Sequence, residues 1–203
     1  MENEMLIYEK ALKEAGYTYI AGVDEAGRGP LAGDVFAAAV ILPENHFADG
    51  ITDSKKLSEK KREALYEVII QNAVCWSVGR ATPEEIDEIN ILNATHLAMN
   101  RAVEGLNIRP DFVLIDGNSI KNMEIDHKCI VKGDSLSLSI AAASIIAKVS
   151  RDRYITELAE KYPEYNFAKH KGYGTKEHTE AILKYGPCEI HRRSFLKKLY
   201  GEK

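Results

Sequence analysis

An α/β fold is predicted by three features of this 203-residue chain. Short runs rich in Val, Ile, Tyr, Phe and Ala, at 18–24, 33–42, 74–81, 112–115 and 125–131, are bounded by Gly, Pro or Asp, as strands are. Segments with helical spacing of apolar residues lie between several of them. One late segment, Ser137–Arg153, is dense in Ala, Ile and Ser and apolar nearly all round, the pattern of a helix buried against a sheet.

The first two strand candidates flank Gly27–Pro30, which reads as the turn between them. Ser58–Asn72 places Leu65, Val68 and Ile69 at helical spacing among Lys, Arg and Glu, so it reads as an amphipathic helix lying on the sheet. After the strand at 74–81, Thr82-Pro83-Glu84-Glu85 forms a capping box with Pro at the first helical position. That helix runs to about Leu106, with a break near Asn90. Phe112–Ile115, between Pro110 and Asp116-Gly117-Asn118, reads as a short central strand ending in a tight turn. Beyond Arg153, Pro163, Gly172 and Gly174 punctuate helices and loops. With no repeat and no low-complexity linker, residues 1–153 are expected to form a core and 154–203 a helical C-terminal region packed on it.

A chain of this length is one domain, or one domain with a small appendage. At 45% hydrophobic and 29% charged residues it can bury a core, which excludes a disordered tail. Its longest apolar run, Val35–Leu42, is far short of the roughly 20 residues a membrane span needs. Met1–Glu14 lacks the basic start and apolar stretch of a secretory signal, so a cytoplasmic protein is expected. Cys75, Cys129 and Cys188 are odd in number and widely spaced, which indicates neither disulfides nor zinc. The net charge of −4 is unevenly spread. Residues 148–203 hold 13 Lys and Arg against 8 Asp and Glu, a net +5, which leaves −9 on residues 1–147. A basic tail of this size suits either a solvated surface or a polyanion.

Four acids fall at element ends in this reading: Asp24 and Glu25, Asp116, and Asp134. In α/β folds such ends converge on one rim, where sites are built. Converging carboxylates repel unless a cation neutralises them, and oxygen-only donors select Mg²⁺ or Mn²⁺. Two such ions, about 4 Å apart, could activate a water and stabilise the leaving oxygen of a phosphodiester. Neighbours on a regular strand point to opposite faces, so Asp24 and Glu25 are expected to share a site only where the strand bends or has ended. Separate turn and cap roles for the acids stay open on these grounds, most of all for Asp116. Gly27-Arg28-Gly29 would let a backbone approach a ligand, although taken alone a plain hairpin turn is the stronger explanation. No Walker loop and no GxGxxG is present.

The segments Tyr19–Gly33, Asp53–Leu57, Leu114–Gly117, Lys132–Asp134, Ala142–Asp152 and His170–Thr175 closely resemble, in this order, the motifs of bacterial ribonuclease HII. The resemblance implies a ribonuclease H-like mixed five-stranded sheet flanked by helices, with a small helical C-terminal region that helps hold a duplex. It implies that Asp24, Glu25, Asp116 and Asp134 bind two Mg²⁺ or Mn²⁺ ions. The Gly27-Arg28-Gly29 backbone would read a ribose 2′-OH, and Tyr173 would pack on the sugar to its 3′ side. The implied activity is hydrolysis of RNA in RNA–DNA hybrids and cutting 5′ to single ribonucleotides in duplex DNA, leaving 5′-phosphate and 3′-hydroxyl ends, in DNA replication and repair. The residues ahead of Thr18 leave no room for the additional N-terminal domain of ribonuclease HIII.

Lys148, Lys169, Lys171, Lys176, Arg192 and Arg193 are candidates for phosphate contacts, which set affinity without reading sequence. Lys148 could instead pair with a site carboxylate, and Arg192 and Arg193 could be plain surface charges. His170 and His178 lack metal-ligand spacing and are expected to serve as hydrogen-bonding loop residues. A monomer is the default. A hydrolase of small phosphoesters and a non-catalytic nucleic-acid module stay open as alternatives, the second weakened because acids facing phosphates would repel them.

Overall fold

The computed structural model describes residues 4–44, 50–52 and 54–201, and of Lys56 only the backbone. Its strands are β1 (Ile20–Ala26), β2 (Val35–Ile41), β3 (Cys75–Ala81), β4 (Phe112–Asp116) and β5 (His127–Ile130). They form one mixed sheet in the order β3-β2-β1-β4-β5, with β1–β2 and β2–β3 antiparallel and β1–β4 and β4–β5 parallel. The helices are α1 (Ile7–Glu14), α2 (Glu59–Asn72), α3 (Pro83–Glu104), α4 (Leu138–Lys161), α5 (Phe167–His170), α6 (Lys176–Tyr185) and α7 (Arg193–Leu196).

Alternation along β2 shows how the layers form. Val35, Ala37, Ala39 and Ile41 join Ala94, Ala98, Met99 and Ala102 of α3 in one core cluster. Ala38 and Val40, on the opposite face, join Tyr66 and Ile69 of α2 and Ala141–Ala147 of α4 in another. A strand buried on both faces reads as a continuous apolar run, as Val35–Ile41 does. Small residues let α4 come close to the sheet: a Cβ at Gly22 would lie 2.1 Å from the Ser139 carbonyl carbon.

The sequence signals at helix ends act as expected. Ser58 caps α2, Thr82 and Glu85 form the capping box of α3, and α3 kinks at Asn90, where φ is +66° and the side chain accepts from Leu92 N and Asn93 N. Two differences stand out. Helix α1, unmarked by any cap in the sequence, sits with Tyr8 and Leu12 against Ile20, Leu114, Ile130 and Ile140. Its Glu9 Oε1 accepts from Ser137 Oγ, Ser139 Oγ and Ser139 N, placing a carboxylate at the positive end of α4. Helix α4 runs to Lys161 rather than Arg153, because Ile155, Leu158 and Ala159 continue its apolar face into a separate cluster with Tyr165, Phe167, Ile182, Ile190 and Leu196. The expected boundary at 153/154 therefore falls inside one unbroken helix. Ala32 and Leu31, from the β1–β2 connection, also belong to this tail cluster.

Candidate active site

Asp24 and Glu25 lie within β1, whose pairing with β2 continues to Ala26↔Phe36 while its pairing with β4 stops at Val23↔Ile115. The strand has not ended at these acids, one of the two conditions, a bend or an end, on which the sequence reading made a shared site depend. Only its ladder toward β4 has. The Glu25 N–H is taken by Asp24 Oδ1 at 2.7 Å, and one oxygen each from Asp24, Glu25 and Asp116 lies within 4.8 Å of the others. Asp116, the last residue of β4, accepts the Gly133 N–H on Oδ1 at 2.6 Å, which ties it to the turn carrying Asp134. Asp134 is buried beside this trio, with its Oδ2 3.9 Å from Lys55 Nζ. Asp53 of the same motif lies outside the described residues.

The trio is electrostatically unfavourable on its own. Burial, then the charges of Glu25 and Asp116, push the Asp24 carboxyl well above the usual carboxylate range, against hydrogen bonds from Ser144 and the Glu25 N–H. Burial also raises Glu25, opposed by Arg28, whose Nη1 is 3.4 Å from Glu25 Oε1. Convergent carboxylate oxygens with too little countercharge fit a hard divalent cation, whose charge would reverse these shifts. Among the described residues this is the one group of three or more acids, histidines or cysteines so gathered.

Gly27, Arg28 and Gly29 follow directly in the connection to β2. Gly27 has φ +96°, and a Cβ there would meet Arg151 Nε at 2.0 Å, so glycine is required on both counts. A methyl group at Gly29 would lie 3.6 Å from the ring of Tyr173, which is 43% exposed and therefore open to a ligand. The glycine loop and the tyrosine thus face one another beside the acids, although about 140 residues separate them in sequence.

Arg192 corrects the sequence reading. It is fully buried rather than a surface cation, and its guanidinium donates to the carbonyls of Gly27, Arg28, Pro30 and Gly33 at 2.6–3.0 Å. Burial, then the nearby Arg151, pull its pKa down to about 9, which leaves it charged at neutral pH. Arg151, also fully buried, donates to Ala32 O, Asp34 O and Lys171 O at 3.2 Å and lies 6.0 Å from the Tyr173 ring centre. Two arginines from distant segments therefore hold the connection that carries the glycine loop by its carbonyls, Arg192 at Gly27–Gly33 and Arg151 at Ala32 and Asp34. Arg151 could have been singled out as one of two cations in the apolar Ala142–Asp152 segment, whereas nothing near Arg192 distinguished it from Arg193.

The lysines are paired within the protein. Lys148 Nζ is 2.8 Å from Asp152, one turn along α4, rather than on a site carboxylate. Lys169 pairs with Glu177 at 2.7 Å, Lys171 donates to Thr156 Oγ1 at 2.7 Å, and Lys176 is 3.8 Å from Glu180. His170 and His178 are both buried hydrogen-bonding residues. Ser144, absent from the sequence reading of the site, also shares a 2.9 Å hydroxyl contact with Ser54, next to Lys55.

A family model described as ribonuclease HII matches residues 21–198. Ribonuclease HII of Caldicellulosiruptor bescii is 60% identical over 198 residues, covering 98% of this chain and 96% of that protein. Among solved structures, ribonuclease H2 of Pyrococcus horikoshii superposes with a TM-score of 0.74 at 30% identity, covering 91% of this chain and 98% of that one. A Bst-RNase HIII solved with Mn²⁺ shares the fold, with a TM-score of 0.69 at 18% identity over 94% of this chain and 72% of that one.

Proposed function

The chain belongs to the ribonuclease HII family, and from that premise we propose how its residues carry the activity. The protein is a metal-dependent endoribonuclease that degrades RNA in RNA–DNA hybrids and excises ribonucleotides embedded in DNA. Membership removes the non-catalytic module as a reading. Asp24, Glu25, Asp116 and Asp134 hold two divalent ions, Mg²⁺ or Mn²⁺. The observation that carries this is the meeting of oxygens of Asp24, Glu25 and Asp116 within 4.8 Å, with the Asp24 carboxyl raised by burial and then by the charges of the other two. When bound, the ions supply a nucleophilic water and neutralise the charge that develops on the phosphate and its leaving oxygen.

The remaining work belongs to the chain. Asp24 is held by its bond to Glu25 N–H and by Ser144, so its oxygens are oriented before substrate arrives. The Gly27–Gly29 backbone reads the 2′-OH with groups that ignore the base, and the exposed Tyr173 ring packs on the adjoining sugar. With this placement we propose cleavage on the 5′ side of the ribonucleotide, leaving 5′-phosphate and 3′-hydroxyl ends. Residues 154–203 act as a substrate-holding region, with Lys169 and Lys171 of that region and Lys148 of the core turning from Glu177, Thr156 and Asp152 toward phosphates on binding. None of the described helices is long and apolar enough to cross a membrane. We read the protein as a cytoplasmic monomer serving DNA replication and repair.

The test is a labelled DNA duplex with one ribonucleotide, incubated with Mg²⁺, Mn²⁺ or chelator, beside all-DNA and all-RNA controls. Metal-dependent cutting 5′ to the ribonucleotide alone is expected. Cutting of all three duplexes alike would remove the 2′-OH reading, and full activity in chelator would remove the metal assignment.

A further inference from the structure

Behind Tyr173 runs a chain of hydrogen bonds with a single direction. The Cys188 N–H donates to His191 Nδ1 at 3.0 Å, and Cys188 Sγ lies 3.1 Å from the same nitrogen. A ring nitrogen that accepts a backbone N–H carries no proton, so neutral His191 holds its proton on Nε2. That atom is 3.1 Å from His178 Nε2, which must accept, and this leaves the His178 proton on Nδ1, 2.9 Å from the Tyr173 carbonyl oxygen. The two ends demand this assignment independently, since the backbone N–H can only donate and the carbonyl can only accept. A second proton on His178 would set its Nε2–H against that of His191, and one on His191 would set its Nδ1–H against the Cys188 N–H. Burial lowers both imidazoles to about 4, so the neutral pair persists at neutral pH. Every ring nitrogen of the pair is engaged, which leaves no lone pair to bind a metal.

Tyr173 is held from its other side as well. Its N–H donates to the His170 carbonyl at 2.9 Å, and the His170 ring stacks on His178 with centres 4.5 Å apart. The residue after His191 is Arg192, which grips four carbonyls of the 27–33 connection. Backbone bonds from Arg192 N to Leu31 O (2.9 Å) and from Leu31 N to Gly172 O (2.8 Å) close the seam between them.

We propose that the dipeptide His191–Arg192 is a positioning element that sets the separation between the Gly27–Gly29 backbone and the Tyr173 ring. Arg192 fixes the first through its carbonyl contacts, and His191 fixes the second through His178. This rests on the reading of that backbone and ring as the pair that recognises the ribose. The spacing between two such groups decides whether a sugar fits between them, so a shift of a few tenths of an ångström should register in cleavage before it registers in stability.

The experiment is a double-mutant cycle, read as the single-turnover rate on a DNA duplex with one ribonucleotide. His178→Gln keeps an acceptor for the His191 Nε2–H but loses the donor to Tyr173 O, and His178→Asn does the opposite. His178→Gln is expected to slow cleavage about tenfold, the worth of one hydrogen bond, and His178→Asn to recover most of that loss. In a Tyr173→Ala background His178→Gln should have no further effect, because it acts through that residue. Losses that multiply would make His178 a general structural residue and overturn the proposal. Wild-type cleavage by Tyr173→Ala would overturn the ring's role itself. A slow Tyr173→Ala beside a wild-type His178→Gln would overturn the positioning alone. Should His178→Gln fail to fold, ¹⁵N NMR of the unmodified protein decides: Nε2–H on His191 and Nδ1–H on His178 are expected, and the reverse tautomers or a charged ring at pH 7 would refute the relay.

Discussion

Two clusters of like charge, one partly and one fully buried, lie a few residues apart in this protein, and they are treated in opposite ways. Asp24, Glu25 and Asp116 face one another with Arg28, 3.4 Å from Glu25, as a nearby counter-charge, and burial and the neighbouring acids drive the Asp24 carboxyl upward. Beneath the adjoining loop, Arg151 and Arg192 are also crowded and fully buried, yet between them they donate to seven backbone carbonyls. Buried charge is tolerated when its hydrogen-bonding capacity is filled. The arginines are filled from within the chain and are structural, whereas the acids await countercharge from outside. Asp24 is buried, as the arginines are, so burial alone does not separate the clusters; the source of compensation does.

That contrast can be broken by mutation. The largest effect is expected for Asp24→Asn and Asp134→Asn: cleavage lost by about three orders of magnitude or more, as for removal of a central catalytic group, with duplex binding retained. Normal turnover by either variant would end the site assignment. Thermal unfolding of metal-free Asp24→Asn should show a gain of about 1 kcal/mol, since a repulsive buried charge is gone. Arg192→Met should do the reverse to stability, costing about 3–5 kcal/mol in urea unfolding because four carbonyls lose their donor. A smaller loss than that for Asp24→Ala would contradict the division drawn above. Tyr173→Ala should slow cleavage about 10- to 100-fold, the scale of one lost aromatic contact, with unchanged circular dichroism.

The two regions should also respond oppositely to pH. Asp24 has a folded-state pKa above its unfolded value, so its contribution is greatest below pH 3.8 and is lost as pH rises through the folded value. His178 and His191 sit at about 4 when folded against 6.5 unfolded, so theirs is complete above 6.5 and drains away between 6.5 and 4. Urea midpoints of metal-free protein should fall from pH 7 to pH 5 by the equivalent of about 2 kcal/mol or more. Asp24→Asn should steepen that fall, because it removes the opposing slope. A midpoint that rises on acidification would show that the acids outweigh the histidines.

Much of the fold was legible because local signals and tertiary packing agree. The alternation of Val35–Ile41, the capping box at Thr82–Glu85 and the break at Asn90 each mark an element that the structure contains. Helix α1 escaped because its supports, Ser137 and Ser139 on Glu9, are more than 120 residues away. The end of α4 was placed too early because residues 154–161 pack on a cluster that no sequence window contains. Asp24, Glu25 and Asp116 meet although the first two lie inside β1 rather than at its end, which the alternation of a single strand did not reveal.

The sequence by itself determined the α/β class, the element order and the types of residue that bear the chemistry, because hydrophobic period, caps and turn residues act over a few positions. Only the tertiary structure decided which charges are compensated. Arg192 and Arg193 are neighbours of one type, but one is sealed against the carbonyls of a loop some 160 residues away and the other is exposed. The physical reason is that desolvation and hydrogen bonding depend on what surrounds a group in space, and for this site the surroundings come from both ends of the chain.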